Sequence, residues 1–246
     1  MAEMRLWGAK PLHKAPHWRQ ALVMPVYALT RRHEFPHPFE AEPSGLLAVG
    51  GDLHPARVMR AYTMGIFPWP QARTLAWFSP DPRMVLWPHR ELVSRSLRKV
   101  VERGPFELRI NSAFEQVIEA CARVPRPGQP GTWINRSVRD CYLALHNAGL
   151  AHSFEAWRDG QLVGGLYGVS VGASFAGESM FHRETDASKF AFIGMARHLW
   201  QHGYQMVDCQ MHTDHLASLG AVEVDRTVFI EALRDALRAP PSWPVR

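Results

Sequence analysis

Cysteine is scarce in this chain: Cys121, Cys141 and Cys209 are the only three in 246 residues. An odd, widely spaced set excludes the disulfide framework of small secreted domains and points to a reducing compartment. Long apolar runs are missing as well, and no stretch approaches the roughly 20 residues that span a bilayer. The start, Met1-Ala2-Glu3-Met4-Arg5, lacks the apolar block of a signal peptide. Cytoplasm, with no membrane partner, is the expected location. No internal repeat or low-complexity tract is visible. What remains is an ordinary globular composition, 46% hydrophobic and 21% charged. The length suits one large domain or two smaller ones.

The net charge of +5 leans toward an anionic partner, nucleic acid first. Its distribution is more informative than its size. Glu91 to Arg103 reads as a helix with Arg95, Arg98, Lys99 and Arg103 on one broad face, and with Leu92, Leu97, Val100 and Val101 able to supply a buried side. Taken alone, such a face is most simply a solvated one, with Glu91 and Arg95 paired at i,i+4.

Residues 1–20 have no clear period and read as an extension. From about Pro25 to Pro82 the chain is dense in Pro and Gly, with one short helix expected over Pro55 to Met64, where Pro55 sits in a tolerated first-turn position. After Pro82 the pattern becomes regular. Strands are expected over Met84–Trp87 and Phe106–Ile110 and a helix over Ala113–Ala122 capped by Asn111. A Pro/Gly loop follows over Val124–Gly131, then a helix capped by Ser137 that ends before Gly149. Strands His152–Arg158 and Leu162–Val169 flank Asp159-Gly160, a strong hairpin signal. A strand over Ala173–Glu178, a helix over Ser188–Gln201, a strand over Tyr204–Gln210 and a helix over Phe229–Arg238 complete a mixed α+β pattern.

Two islands interrupt otherwise apolar segments: Gly177-Glu178-Ser179-Met180-Phe181 and Asp208-Cys209-Gln210. An ionised carboxylate in apolar surroundings is costly unless something polar or cationic meets it. On a strand, Asp208 and Gln210 share a face and Cys209 points away. The residues support two readings equally, a polar site or strand-end groups bonding nearby backbone.

The runs FPHPFEAEPSGLLAVGGDL (35–53), AYTMGIFPW (61–69), WFSPDPRMVLWP (77–88), TWI (132–134), GESMF (177–181), SK (188–189), DCQ (208–210) and HLASLGA (215–221) resemble the bacterial leucyl/phenylalanyl-tRNA–protein transferase family. The islands occur in the family's order from about residue 25 to residue 231. The resemblance implies a small N-terminal domain (21–82) followed by an acetyltransferase-like, GNAT-type mixed-sheet domain (83–246), with 1–20 outside both. It implies transfer of Leu or Phe from aminoacyl-tRNA to proteins with N-terminal Lys or Arg, marking them for N-degron proteolysis. Aminoacyl-tRNA is already an activated ester, so no metal or other cofactor is expected.

The same resemblance implies site residues. Asp208, Gln210 and Glu178 stand at the reacting centre, with Asp208 orienting Gln210 and Glu178 holding the substrate amine or a ribose hydroxyl. Phe192, Met195 and Leu199 form a helical stripe that spacing alone would assign to core; the family places the aminoacyl side chain there, with Leu166 and Gly177. Apolar fit discriminates by only about 1–3 kcal/mol per methylene, so Met joins Leu and Phe as a candidate donor. Trp69 and Trp133 match positions that sandwich the terminal adenosine. Arg95, Arg98, Lys99 and Arg103 match the basic helix that meets the tRNA body, which reverses the solvated-face reading. Glu102 stands where relatives carry a basic residue, and Leu166 where many carry Met.

Three rivals are weighed against this. A coenzyme-A acetyltransferase needs a glycine-rich pyrophosphate loop, and residues 182–188 contain no glycine. A metal site at Cys209, His212 and His215 has suitable residue types without a second cluster at zinc-like spacing. A non-enzymatic RNA-binding module explains charge and tryptophan but leaves Glu178, Asp208 and Gln210 idle.

Overall fold

A computed structural model describes residues 26–30, 34–70, 74–124, 132–239 and 241–243. The expected extension 1–20 and most of the expected loop 124–131 lie outside the described residues. The first part forms a small sheet around a helix: β1 (Tyr27–Leu29), β2 (Leu46–Gly50), α1 (Pro55–Thr63), β3 (Phe67–Pro68) and β4 (Ala76–Phe78). The strand order is β1-β2-β4-β3, with β1 and β2 parallel. The sequence suggested only the helix here. The strands are two to five residues long, too short for alternation to show between the prolines and glycines. His54 caps α1 by accepting from the Ala56 N–H at 3.3 Å, and Pro55 occupies the first turn.

The remaining elements are β5 (Arg83–Leu86), α2 (Arg95–Arg103), β6 (Glu107–Ile110), α3 (Phe114–Arg123), α4 (Arg136–Asn147), β7 (Ala151–Arg158), β8 (Gln161–Val171), β9 (Ser174–His182), α5 (Ala187–Gln201), β10 (Met206–Gln210), α6 (Asp214–Ser218), β11 (Val222–Val224) and α7 (Arg226–Arg238). Seven strands order as β11-β5-β10-β9-β8-β7-β6, and only the β9–β10 pair is parallel. The β7–β8 hairpin turns at Asp159 and Gly160, both with positive φ, as a two-residue turn matched to strand twist requires.

Strand β8 is buried on both faces. Leu166 packs with Phe154, Phe175 and α5 on one side, while Tyr167 packs with α3, α4 and the small sheet on the other. Helices cover both faces, so β8 reads as a nearly continuous apolar run rather than an alternating one.

Several boundaries differ from the sequence reading, each for a local reason. Helix α2 starts only after Ser94, whose Oγ accepts from the Leu97 N–H at 3.2 Å. Glu91 therefore lies outside the helix and accepts instead from Trp200 Nε1 at 3.1 Å, so the Glu91–Arg95 pair does not form. Asn111 does not cap α3: it has positive φ, and its Oδ1 accepts from the Ser153 N–H at 3.0 Å. The buried carboxylate of Glu155 reaches across instead and accepts from the Ala113 N–H at 2.8 Å. Asn135, not Ser137, caps α4. Strand β9 continues four residues past Glu178, which places that carboxylate in mid-strand.

Candidate active site

Both polar islands fall on β-bulges. In β9, Gly177 faces Gly168 and Ser179 faces Tyr167, so Glu178 is the extra residue. In β10, Asp208 faces Val85 and Gln210 faces Met84, so Cys209 is extra. A bulge re-aims side chains and locally ends pairing. The parallel β9–β10 ladder stops at Ala176–Asp208, and beyond that point both strands line a cavity of about 730 Å³.

Glu178, Gln210 and Gly177 line this cavity, and Trp69, Trp133, Leu166, Phe192 and Met195 are among its walls. Leu199 is a correction. It lies two helical turns beyond Phe192, fully buried with Met84, Leu86 and Trp200, and does not line the cavity. Arg95, Arg98, Lys99 and Arg103 are all exposed on α2, which buries Leu97, and none lines the cavity.

Asp208 is also absent from the cavity wall. It is buried behind it, where Arg83 Nε and Nη2 donate to its two carboxylate oxygens at 2.8 and 2.6 Å. Arg83 is itself fully buried, donates to the Gly65 carbonyl at 3.1 Å, and lies over the rings of Phe67 and Phe229. Asp208 Oδ1 also accepts from the Gln210 backbone N–H at 2.9 Å. That bond holds Gln210 at φ 65°, a left-handed conformation unusual for a side chain of its size. Asp208 thus orients Gln210 through the main chain, and the shared strand face expected from simple alternation is lost at the bulge.

Among the described residues Glu178 has no comparable cation. Tyr62 Oη donates to Oε1 at 2.6 Å, Tyr142 Oη donates to Oε2 at 2.9 Å, and Gln210 Nε2 donates to Oε1 at 2.8 Å. Burial raises the carboxyl pKa to about 7; the two tyrosines and the amide pull it down, while Asp208 adds a smaller upward push. The two phenol oxygens also stand 2.5 Å apart. Tyr62, Tyr142 and Glu178 therefore make three mutual contacts, and ionised Glu178 leaves only two protons to fill them. A proton on the carboxyl closes the ring.

Sequence reasoning missed Arg83, Tyr62 and Tyr142. The cost of burying Asp208 was a signal that a cation had to be nearby, and the invariably charged group in the quoted run 77–88 is Arg83. Tyr62 and Tyr142 carried no such signal, because tyrosines on amphipathic helices look like core. Among the described residues no three His, Cys, Asp or Glu side chains are placed to hold a metal ion, and Cys209, His212 and His215 do not assemble into one.

An α+β frame that sets a titratable carboxylate and a primary amide beside an apolar cavity is suited to acid–base chemistry on a substrate with an apolar side chain. A family model described as leucyl/phenylalanyl-tRNA protein transferase matches residues 85–234, and one for that family's N-terminal domain matches residues 51–81. The leucyl/phenylalanyl-tRNA–protein transferase of Myxococcus xanthus is 51% identical over 220 residues, covering 88% of this chain and 94% of the relative. That of Chromobacterium violaceum is 53% identical over 201 residues, covering 81% and 86%. That of Syntrophotalea carbinolica is 50% identical over 222 residues, covering 90% and 96%. The chain belongs to the leucyl/phenylalanyl-tRNA–protein transferase family. A more distant likeness, to L-PGS from Bacillus licheniformis, has a TM-score of 0.39 at 11% identity and covers 70% of this chain and 57% of the other.

Proposed function

We propose that this protein transfers Leu or Phe from aminoacyl-tRNA to the N-terminal Lys or Arg of acceptor proteins, which marks them for N-degron proteolysis. Family membership supplies the reaction. The single structural observation that carries the mechanism is the Glu178 carboxyl, half-buried at the cavity among two phenols and an amide, with no cation beside it among the described residues. Residues 83–246 are read as a GNAT-type transferase domain behind an N-terminal domain over 21–82, and the parting of β9 from β10 at the bulges supports that reading. The expected place of action is the cytoplasm.

The reaction needs a neutral amine, a place for its proton and stabilisation of the tetrahedral oxyanion. An α-amine titrates near pH ~8, and a carboxyl near 7 is matched to receive its proton. The acceptor nitrogen attacks the ester carbonyl carbon, and its proton passes to Glu178, closing the ring with Tyr62 and Tyr142. When the tetrahedral intermediate collapses, the carbon–oxygen bond to the ribose breaks and Glu178 returns the proton to the departing oxygen. One amide N–H of Gln210 is committed to Glu178, and the other is the donor assigned to the oxyanion. Asp208 and Arg83 do not touch substrate in this scheme; they position Gln210. Leu166, Phe192 and Met195 hold the donor side chain, and Trp69 and Trp133 hold the terminal adenine by stacking, which needs no sequence readout. The exposed basic face of α2 meets the tRNA body.

The direct test is incubation with labelled Leu-tRNA and a protein bearing N-terminal Arg. Label transferred to that protein, and not to its N-acetylated form, is the expected result. Absence of transfer from both Leu-tRNA and Phe-tRNA by the folded protein overturns the assignment.

A further inference from the structure

Glu178 lines the cavity, and so do His182, His212, His215 and Ser188. Ser188 is only 4% exposed, yet among the described residues its hydroxyl has no protein partner and it faces the cavity. It is the second residue of α5, a 15-residue helix whose N-cap, Asp186, has φ 63° and makes no capping bond. The Asp186 carboxylate is drawn aside to Lys189 Nζ at 2.8 Å. The first-turn N–H groups of Ser188 and Lys189 therefore have no cap and carry the positive end of the helix dipole.

The neighbouring charges reinforce this. Glu184, the other carboxylate of the loop, accepts from Arg158 Nη1 at 2.8 Å and is neutralised. The imidazole of His215 is held below its ordinary pKa by burial first, then by the fields of Lys189 and His182. Lys189 and the imidazoles of His182 and His215 thus stand close to an uncapped helix start and a hydroxyl without a partner among the described residues. Gly164 of β8 permits the close support of that helix start, because a Cβ there would lie 2.6 Å from the Ala187 Cβ.

We propose that Ser188, the uncapped N–H groups of α5, Lys189, His182 and His215 form an anion subsite for the phosphodiester joining the terminal aminoacylated nucleotide to the rest of the donor tRNA. The proposal rests on the transferase reading and adds a contact to it. A phosphodiester brings one negative charge and two acceptor oxygens, matching a hydroxyl, helix N–H groups, imidazole N–H groups and the Lys189 ammonium. Lys189 and His215 belong to the SK and HLASLGA runs, for which the mechanism above supplies no other use.

The test replaces only that linkage in Phe-tRNA by a neutral methylphosphonate and compares kcat/KM for transfer to an N-terminal Arg peptide. Loss of a charge-assisted set of bonds predicts a fall on the order of tenfold in the native protein. In Ser188→Ala, Lys189→Met and His215→Gln, each checked for folding by thermal melt, the penalty should shrink toward one. Equal use of the two donors by the native protein overturns the subsite and leaves the transferase reading standing. A full penalty retained in all three folded variants overturns it as well. Failure of unmodified Phe-tRNA to support transfer sinks the transferase reading itself.

Discussion

Asp208, buried, and Glu178, half-buried, are carboxylates at bulges in neighbouring strands, and their surroundings give them opposite duties. Asp208 is met by the fully buried guanidinium of Arg83 and by a backbone N–H. Its work is structural, holding Gln210 in its left-handed conformation. Among the described residues Glu178 is met only by two phenols and an amide. Those groups soften the cost of burial without cancelling it, so its carboxyl sits near neutrality. A cation makes one carboxylate part of the framework behind the cavity, and the lack of one makes the other a proton carrier.

The sharpest way to break this contrast is to remove the cation. Arg83→Met leaves the Asp208 charge buried and unpaired, which should cost about 3–5 kcal/mol of stability, read by chemical denaturation. Adding Asp208→Leu should restore much of that stability while activity stays low, because Gln210 has lost its main-chain anchor. Recovery of full activity in the double variant would mean that Asp208 positions nothing.

Glu178→Gln should act the other way, sparing the fold and lowering turnover by about 10²–10⁴-fold, the usual contribution of an acid–base group. Binding of aminoacyl-tRNA should change little, since the loss is confined to the transition state. A rate near that of the native protein would move the proton to another acceptor, such as a substrate hydroxyl.

The donor pocket offers a smaller effect. Met195 lines the cavity, so Met195→Phe should shrink it and reduce Phe transfer more than Leu transfer, by roughly 1–3 kcal/mol of overpacking for the larger side chain. An unchanged Leu-to-Phe ratio with a lowered melting temperature would return Met195 to plain core. Smallest of all, Arg95→Ala and Lys99→Ala should weaken binding of all competent tRNAs about equally and flatten its salt dependence by about one unit of slope per lost phosphate contact.

The sequence made much of this architecture legible. The Asp159-Gly160 turn, the helix after Ser188 and the two polar islands all stand out because turn chemistry, periodicity and misplaced charge are local signals. The small first sheet was hidden, since its strands are too short to display a period. The bulges were hidden too, because an extra residue in a strand shows only against its partner. That is why alternation put Asp208 on a site face it does not occupy; it was the family resemblance, not spacing, that carried Leu199 into a pocket that the helix leaves one turn earlier. The eight ordered runs supplied the family; they did not supply Tyr62, Tyr142 or Arg83, whose roles arise from contacts across more than 30 residues of chain.

The central claim is that Glu178 carries a proton near neutral pH and Asp208 does not share that role. Because its folded pKa is raised from 4.5 to about 7, Glu178 binds its proton more tightly folded than unfolded. The stability this contributes is fully present below the unfolded value and is lost as pH rises through the folded one. The decisive measurement is a titration of the free protein, following the 13C shift of a labelled Glu178 carboxyl and assigning it by its disappearance in Glu178→Gln. A midpoint near 7, matched by a fall in stability across the same range that the Gln variant lacks, is the predicted result. A midpoint at or below about 5, in the ordinary glutamate range, would contradict the account.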